Sequence, residues 1–297
     1  MTTHPSTLTA PLSVAQGLRQ AQLDGLDRLD AQLLMLHALG RSPTERAWLL
    51  AHDTDPLPPA AATALQVAVQ RRLAGEPLAY ITGHKAFYGL DLQVDARVLV
   101  PRPDTETLVD WTLEALGTLD TVSAMQGAKA AASTRVIDLG TGSGAIALAL
   151  KHQRPDWQVS AVDASLDALT VAQANAQRLQ LAVDFSQGSW LTGTSGCFDA
   201  IVSNPPYIAA QDPHLAALWH EPLSALASGV DGLHDVRRIA AQAPAHLHPG
   251  GWLLLEHGYD QAAAVRELLR GAGLVKVQSR CDLNGIERCS GAQRPLN

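Results

Sequence analysis

The chain is predicted to be an α/β protein: a mostly parallel sheet covered by helices on both faces, preceded by a small helical bundle. Three observations carry that prediction. From Arg135 onward, short runs rich in Val, Ile and Leu alternate with helical stretches, the pattern of βα units. Over the first 85 or so residues no strand pattern appears, and apolar residues recur at helical spacing. Between the two, residues 86–110 change character and partly alternate.

In the helical region, Leu29, Leu33, Leu36 and Leu39 mark one helix, and Gly40 is placed to end it. Ser42-Pro43-Thr44-Glu45 reads as a helix start, with a capping serine, a proline at the first position and a glutamate that reaches back. Trp48, Leu49 and Leu50 then supply apolar surface, and an alanine-rich helix from about Pro59 to Leu73 stops at Gly75. Phe87, Tyr88, Leu90, Leu92, Val94, Val98 and Val100, with Gly89 and Asp95 as turn points, read as a short hairpin. Pro101 and Pro103 stiffen the next stretch, and a helix begins near Asp104. Residues 117–134 are rich in Gly, Ala, Ser and Thr and read as a surface loop or link. Strands are then expected at Val136-Ile137, Val159–Val162, Val183–Ser186, Phe198–Ser203 and Trp252–Leu255. Helices are expected through Ile146 and Leu150 and through Leu166, Leu169 and Ala172, with a terminal strand pair near Leu274–Gln278 and Arg288. The division expected is 1–85 helical, 86–110 hairpin and linker, and 111–297 α/β.

The 297 residues permit two domains. No apolar run approaches the ~20 residues needed to span a bilayer. Met1 to Ala10 lacks the basic start and apolar block of a secretory signal and reads as a frayed tail. Cys197, Cys281 and Cys289 offer no C-x-x-C pair, which fits a reducing cytosol better than a disulfide or zinc framework. The net charge of −7 disfavours a broad phosphate-gripping surface. It leaves room for a local basic patch and for a basic protein partner. His246, His248 and His257 form no metal-spaced set, and no metal site is expected. Glu256-His257, at a strand end, reads as structural rather than as an acid/base pair.

Asp138-Leu139-Gly140-Thr141-Gly142-Ser143-Gly144 joins a strand to a helix. Its glycines permit a sharp turn and close approach of a ligand to the main chain. A dinucleotide site prefers G-x-G-x-x-G; here the glycines are spaced by two, and the carboxylate of Asp138 would repel a pyrophosphate. The loop suits a ligand with an amino group, such as the methionine end of S-adenosylmethionine. Two roles stand open for Asp138, contact through water or orientation of the loop. Asp163 ends the next strand, where an acidic residue accepts hydrogen bonds from ribose hydroxyls; taken alone it reads equally as a cap for the helix from Ser165. Trp190 is placed to pack on an adenine face or to fill the core under a loop.

Asn204-Pro205-Pro206-Tyr207 comes directly after the apolar run Ala200–Ser203. An amide nitrogen is a poor nucleophile because its lone pair is delocalised. The Asn204 side-chain oxygen and the Pro205 carbonyl can take both hydrogens of an NH2 group. Pro205 and Pro206 hold these acceptors in place, and Tyr207 can pack on the planar group. Such a site works by positioning and electrostatics. Together the two loops point to methyl transfer onto a nitrogen, with Asn204, Pro205 and Tyr207 as catalytic residues and Asn204 to Tyr207 as the acceptor site. The alternative is an N-methyltransferase acting on an exocyclic amine of a nucleic-acid base. A non-catalytic nucleotide-binding scaffold and a nicotinamide-dependent oxidoreductase both fit the glycine spacing less well.

The chain resembles the protein-(glutamine-N5) methyltransferase family of bacterial peptide chain release factors (the PrmC/HemK family). The resemblance runs through Asp30–Leu34, Gly75–Gly83, Val100–Glu106, Asp138–Ala145, Ala161–Asp163, Val202–Ile208, Gln211–Leu215 and Leu253–Gly258. Asn-Pro-Pro-Tyr is shared with nucleic-acid methyltransferases; Pro-Arg-Pro-Asp-Thr-Glu behind a helical domain is more particular to this family. The resemblance implies a Rossmann-like class I methyltransferase domain with a seven-stranded sheet. It implies S-adenosylmethionine as cofactor (product S-adenosylhomocysteine), held at Gly140, Thr141, Gly142, Ser143, Gly144, Asp163, Trp190 and Asn204. It implies a glutamine acceptor in a Gly-Gly-Gln tripeptide of class one release factors, docked with help from the helical domain, in the cytoplasm, with no nucleic acid required. The 117–134 segment is longer and richer in alanine than the family pattern.

Overall fold

The computed structural model describes residues 12–125 and 133–297 and divides into two compact units, Met1–Gly83 and His84–Asn297. Met1 to Ala10, expected as a frayed tail, lies outside the described residues.

The first unit holds α1 (Val14–Leu23), α2 (Arg28–Ala38), α3 (Arg46–Ala51), α4 (Pro59–Leu73) and α5 (Leu78–Thr82). A capping box opens α1: Ser13 Oγ accepts from the Gln16 amide at 3.2 Å, and Gln16 Oε1 accepts from the Ser13 amide at 2.8 Å. Asp27 caps α2, and Arg72 of α4 pairs with Asp30 of α2 at 2.6 Å. The buried face of α2 is Ala31, Leu34, Met35 and Leu36, whereas Leu29 is 48% exposed. This corrects the expected Leu29-Leu33-Leu36-Leu39 stripe. The run Leu33–Leu36 is apolar all round, so spacing cannot choose the face, and the partners Leu49, Leu65 and Val69 do. The Ser42 amide does donate to Glu45 Oε2 at 2.9 Å, but this closes a turn, and α3 begins only at Arg46.

The second unit opens on a hairpin, β1 (His84–Phe87) and β2 (Leu90–Gln93), turned at Tyr88 (φ 49°) and Gly89 (φ 78°). Two successive left-handed residues match the twist of the flanking strands. The hairpin and the stretch after it go with this unit rather than forming a separate link: buried Asn175 bonds both the amide and the carbonyl of Gln93, at 2.8 and 2.9 Å. A 3-10 turn at Pro103–Thr105 leads into α6 (Glu106–Met125). The helix therefore covers much of the expected 117–134 loop; residues 126–132 lie outside the described residues. Buried Leu108, Val109, Trp111 and Leu116 anchor α6, and extending a formed helix avoids the cost of nucleation.

The remaining elements are β3 (Arg135–Leu139), α7 (Ala145–Gln153), β4 (Gln158–Asp163), α8 (Leu166–Leu179), β5 (Asp184–Gln187), β6 (Phe198–Ser203), α9 (His234–His246), β7 (Leu247–Glu256), α10 (Ala262–Gly271), β8 (Val275–Cys281) and β9 (Glu287–Gln293). The strands form one seven-stranded sheet in the order β5-β4-β3-β6-β7-β9-β8. β5, β4, β3, β6 and β7 run parallel, and β9 is antiparallel to β7 and β8. This is the predicted α/β architecture. The chain walks outward from β3 to β5, then returns to β6 on the other side of β3. Ligands bind where an open sheet reverses in this way, beyond the carboxyl ends of its strands. Both predicted loops leave from that place, and Leu139 pairs with Ser203 across it.

Candidate active site

Gly140, Gly142 and Gly144 have φ of +71°, +56° and +86°, which side chains tolerate poorly, so glycine is required for this turn. Gly140 also leaves room for a ring: a Cβ there would lie 3.2 Å from Trp190 Cζ3. Asp138, fully buried, is the brace behind the loop. Its Oδ2 accepts from Thr141 Oγ1 at 2.7 Å and from the Ala147 amide at 3.3 Å, and its Oδ1 has no partner among the described residues. Burial pushes its carboxyl up to about 7, against the pull of those two bonds and with a small push from Asp163. Of the two roles open for Asp138, loop orientation fits this placement.

Asp163 bridges loop and helix. Oδ2 accepts from the Gly142 amide and Oδ1 from the Ser165 amide, both at 2.9 Å. The α8 cap is Ser165 itself, which accepts from Ala168. Each Asp163 oxygen keeps further acceptor capacity, and Asp163 lines the cleft described next. Trp190 has φ +57°, and its Nε1 donates to Asp235 Oδ1 at 3.1 Å. Asp235 is in turn held by Ser228 Oγ at 2.8 Å.

A cleft of about 490 Å³ brings these groups together with the acceptor corner: Gly140, Gly142, Asp163, Trp190, Asn204 and Pro206 all line it. Thr141 and Ser143 are buried beneath the loop, and Gly144 starts α7. Pro205 is buried, and Tyr207 is half-buried, its carbonyl accepting from Gln261 Nε2 at 2.9 Å. Burial, then the charge of Glu256, pushes the Tyr207 phenol well up, so it stays protonated. Ala96–Leu99 and Pro222, Ser224 and Ala225 line the cleft as well. Buried Glu221 ties these two stretches, accepting from the Val100 amide at 3.1 Å and from Arg102.

Asn204 Nδ2 donates to Thr105 Oγ1 at 3.2 Å, while its Oδ1 is buried with no partner among the described residues. The structure splits the Glu256-His257 pair. His257 is fully buried between the Gly258 carbonyl and Ser290 Oγ, at 2.9 and 2.8 Å, and burial lowers its pKa. Glu256, read as structural from sequence, ends β7 beside the end of β6 that leads into Asn204, and its Oε2 is buried without a partner among the described residues. Sequence reading did not single out Thr105, Asn175, Glu221, Asp235 or Glu256 as site residues. Only Thr105 and Glu256 sit within the motifs that carry the resemblance, and nothing local marks the others.

Two family models match the chain, the PrmC N-terminal domain over residues 13–83 and the methyltransferase small domain over residues 117–228. A release factor glutamine methyltransferase of Bordetella pertussis is 50% identical over 271 residues, 90% of this chain and 95% of the relative. One from Xylella fastidiosa (strain Temecula1) is 48% identical over 282 residues, 94% and 97% of the two chains. Among solved structures, a methyltransferase from Pyrococcus furiosus is similar with a TM-score of 0.52 at 18% identity, covering 76% of this chain and 97% of that one; at that identity it shows the fold alone. Since the likeness to the curated relatives spans both units and both loops of the cleft, the chain belongs to the release factor glutamine methyltransferase family.

Proposed function

We propose that this protein transfers a methyl group from S-adenosylmethionine to the side-chain amide nitrogen of the glutamine in the Gly-Gly-Gln motif of class one peptide chain release factors. The observation that carries the reading is the shared cleft. The glycine turn after β3 and the Asn204 corner after β6 leave neighbouring parallel strands and line one cavity.

The residues present fit the cofactor. Bare backbone at Gly140 and Gly142 admits close approach, Asp163 offers acceptors to ribose hydroxyls, and Trp190 offers a ring face. Bound there, S-adenosylmethionine supplies an electrophilic methyl group on a sulfonium. Asn204 Oδ1 and the Pro205 carbonyl take the two hydrogens of the acceptor NH2, which orients the nitrogen lone pair. Pro205 and Pro206 keep these acceptors fixed, and Tyr207 packs on the planar amide. No strong base is needed, because the nitrogen proton becomes acidic once the nitrogen is alkylated. The N-terminal helical unit docks the release factor, in the cytoplasm and without nucleic acid.

Replacing Asp163 with alanine is expected to weaken cofactor binding about 10–100-fold, the order for charge-assisted hydrogen bonds. Calorimetric titration with S-adenosylmethionine checks this, and unchanged affinity removes Asp163 from the site. The proposed activity is tested by offering radiolabelled S-adenosylmethionine with a release factor, with a release factor whose motif glutamine is alanine, and with DNA. Label is expected on the first alone. Label on DNA but not on protein reverses the reading in favour of a base methyltransferase.

A further inference from the structure

Glu256 ends β7, beside the end of β6 that leads into Asn204; Leu255 pairs with Ser203. Glu256 is 2% exposed. The strand pairing sets it beside Asn204, and its Oε2 is buried without a hydrogen-bond partner among the described residues. The Thr105 hydroxyl and the Asn204 amide both favour its charged form. Asn204 Nδ2 also donates to Thr105 Oγ1. Three side chains from three elements, the Pro103–Thr105 turn, the end of β6 and the end of β7, thus meet in one cluster.

The cluster resolves an ambiguity that asparagine carries everywhere. The two ends of its amide have nearly the same shape, and only the hydrogen-bond network decides which faces where. A carboxylate accepts and never donates. Beside it, the NH2 end of Asn204 is the favoured neighbour and the amide oxygen the disfavoured one. Nδ2 donates to Thr105 Oγ1, and Oδ1 is buried without a partner among the described residues. That free oxygen is the group the acceptor site needs.

We infer that Glu256 is a positioning residue for methyl transfer: with Thr105 it holds the Asn204 amide so that Oδ1, and not Nδ2, faces the acceptor nitrogen. The inference rests on the reading of Asn204 as the residue that holds the acceptor. A protonated Glu256 loses this selectivity, because a carboxylic acid can donate to Oδ1 and favour the reversed amide. Burial pushes the Glu256 carboxyl up to about 7, opposed by the nearby Thr105 hydroxyl, with Asp104 raising it and Arg288 and Asn204 lowering it. The charged and titratable groups around it are Asp104 on the turn, Tyr207 beyond β6, and Arg288 and Cys289 on β9. Arg288 is shared with Asp104 at 3.6 Å and Asp282 at 3.3 Å, so it does not neutralise Glu256 alone. The ionised form is the selective one, so turnover at saturating cofactor rises with pH through about 7.

The test measures kcat at saturating S-adenosylmethionine between about pH 6 and pH 9, with cofactor affinity alongside. Glu256→Gln is expected to lower kcat at the alkaline end about ten- to hundredfold, with cofactor affinity within about twofold of the parent and the acid limb gone. Thr105→Val is expected to fall likewise, and Thr105→Ser, which keeps the hydroxyl, to stay within about threefold of the parent. Parent-like kcat in Glu256→Gln, or an unchanged acid limb in it, overturns the inference. Should that variant fail to fold, equal rates in Thr105→Val and Thr105→Ser overturn it instead. Asn204→Ala separates the two levels: if it stays active, the acceptor reading fails, whereas an inactive Asn204→Ala beside a normal Glu256→Gln leaves that reading intact and removes only the role of Glu256.

Discussion

Asn204→Ala is expected to lower methyl transfer to a release factor by about 10²–10³-fold while the fold survives, the loss seen when one preorganised polar group at a reacting centre is removed. The side chain is half-buried at the end of β6, and its Nδ2 bonds Thr105 at 3.2 Å. Truncation removes that bond and the free oxygen, and neither supports the sheet, whose β6 register ends at Ser203. Cofactor affinity should fall far less than turnover, because the glycine turn and Asp163 are held by other bonds. Single-turnover label transfer with a thermal melt beside it checks this. Near-normal turnover in a folded variant would refute the acceptor role.

Gly232→Ala is expected to have the second largest effect, from a residue that touches neither proposed ligand. Gly232 has φ +74°, and an added Cβ would run into the Tyr207 carbonyl oxygen and lie 2.7 Å from Gln261 Nε2. Those two atoms form the bond that braces the Asn204–Tyr207 corner from behind, at 2.9 Å. The backbone conformation alone costs an alanine about 1–2 kcal/mol, and the collision must be relieved by moving the corner. A shift near 1 Å at a reacting centre can cost on the order of 10²-fold in rate. Turnover should drop by that order with cofactor binding nearly unchanged, since the turn after β3 has separate supports. Calorimetry and turnover on the same preparation separate the two, and turnover within about threefold of the parent would show that the corner tolerates displacement.

Much of the second unit was legible in the sequence because its signals are local. Val136-Ile137, Val159–Val162 and Phe198–Ser203 lie in strands covered on both faces and read as largely unbroken apolar runs. The turn at Gly140–Gly144 was legible because left-handed backbone demands glycine. Less legible were α9 and α10, which sequence reading did not single out. α9 begins at His234 and carries Pro244, and α10 is a short helix that packs on the β8–β9 pair. The α2 stripe was misplaced because four successive apolar residues give spacing nothing to choose from. α6 ran on past Gly117 because its first three turns are anchored in the core.

The sequence by itself determined the element order, the two loops and the chemistry each can offer, since a proline-fixed amide or a glycine turn is specified by neighbours along the chain. Only the tertiary structure decided what stands behind those loops. Thr105 and Asn204 are 99 residues apart, and Asn175 reaches Gln93 across 82. Glu256 could be classed as structural from its position in the chain, and only the parallel pairing of β7 with β6 places it beside Asn204. Strand pairing of this kind fixes neighbours in space with no trace in local spacing, so the orientation of the Asn204 amide is a property of the packed sheet and not of its motif.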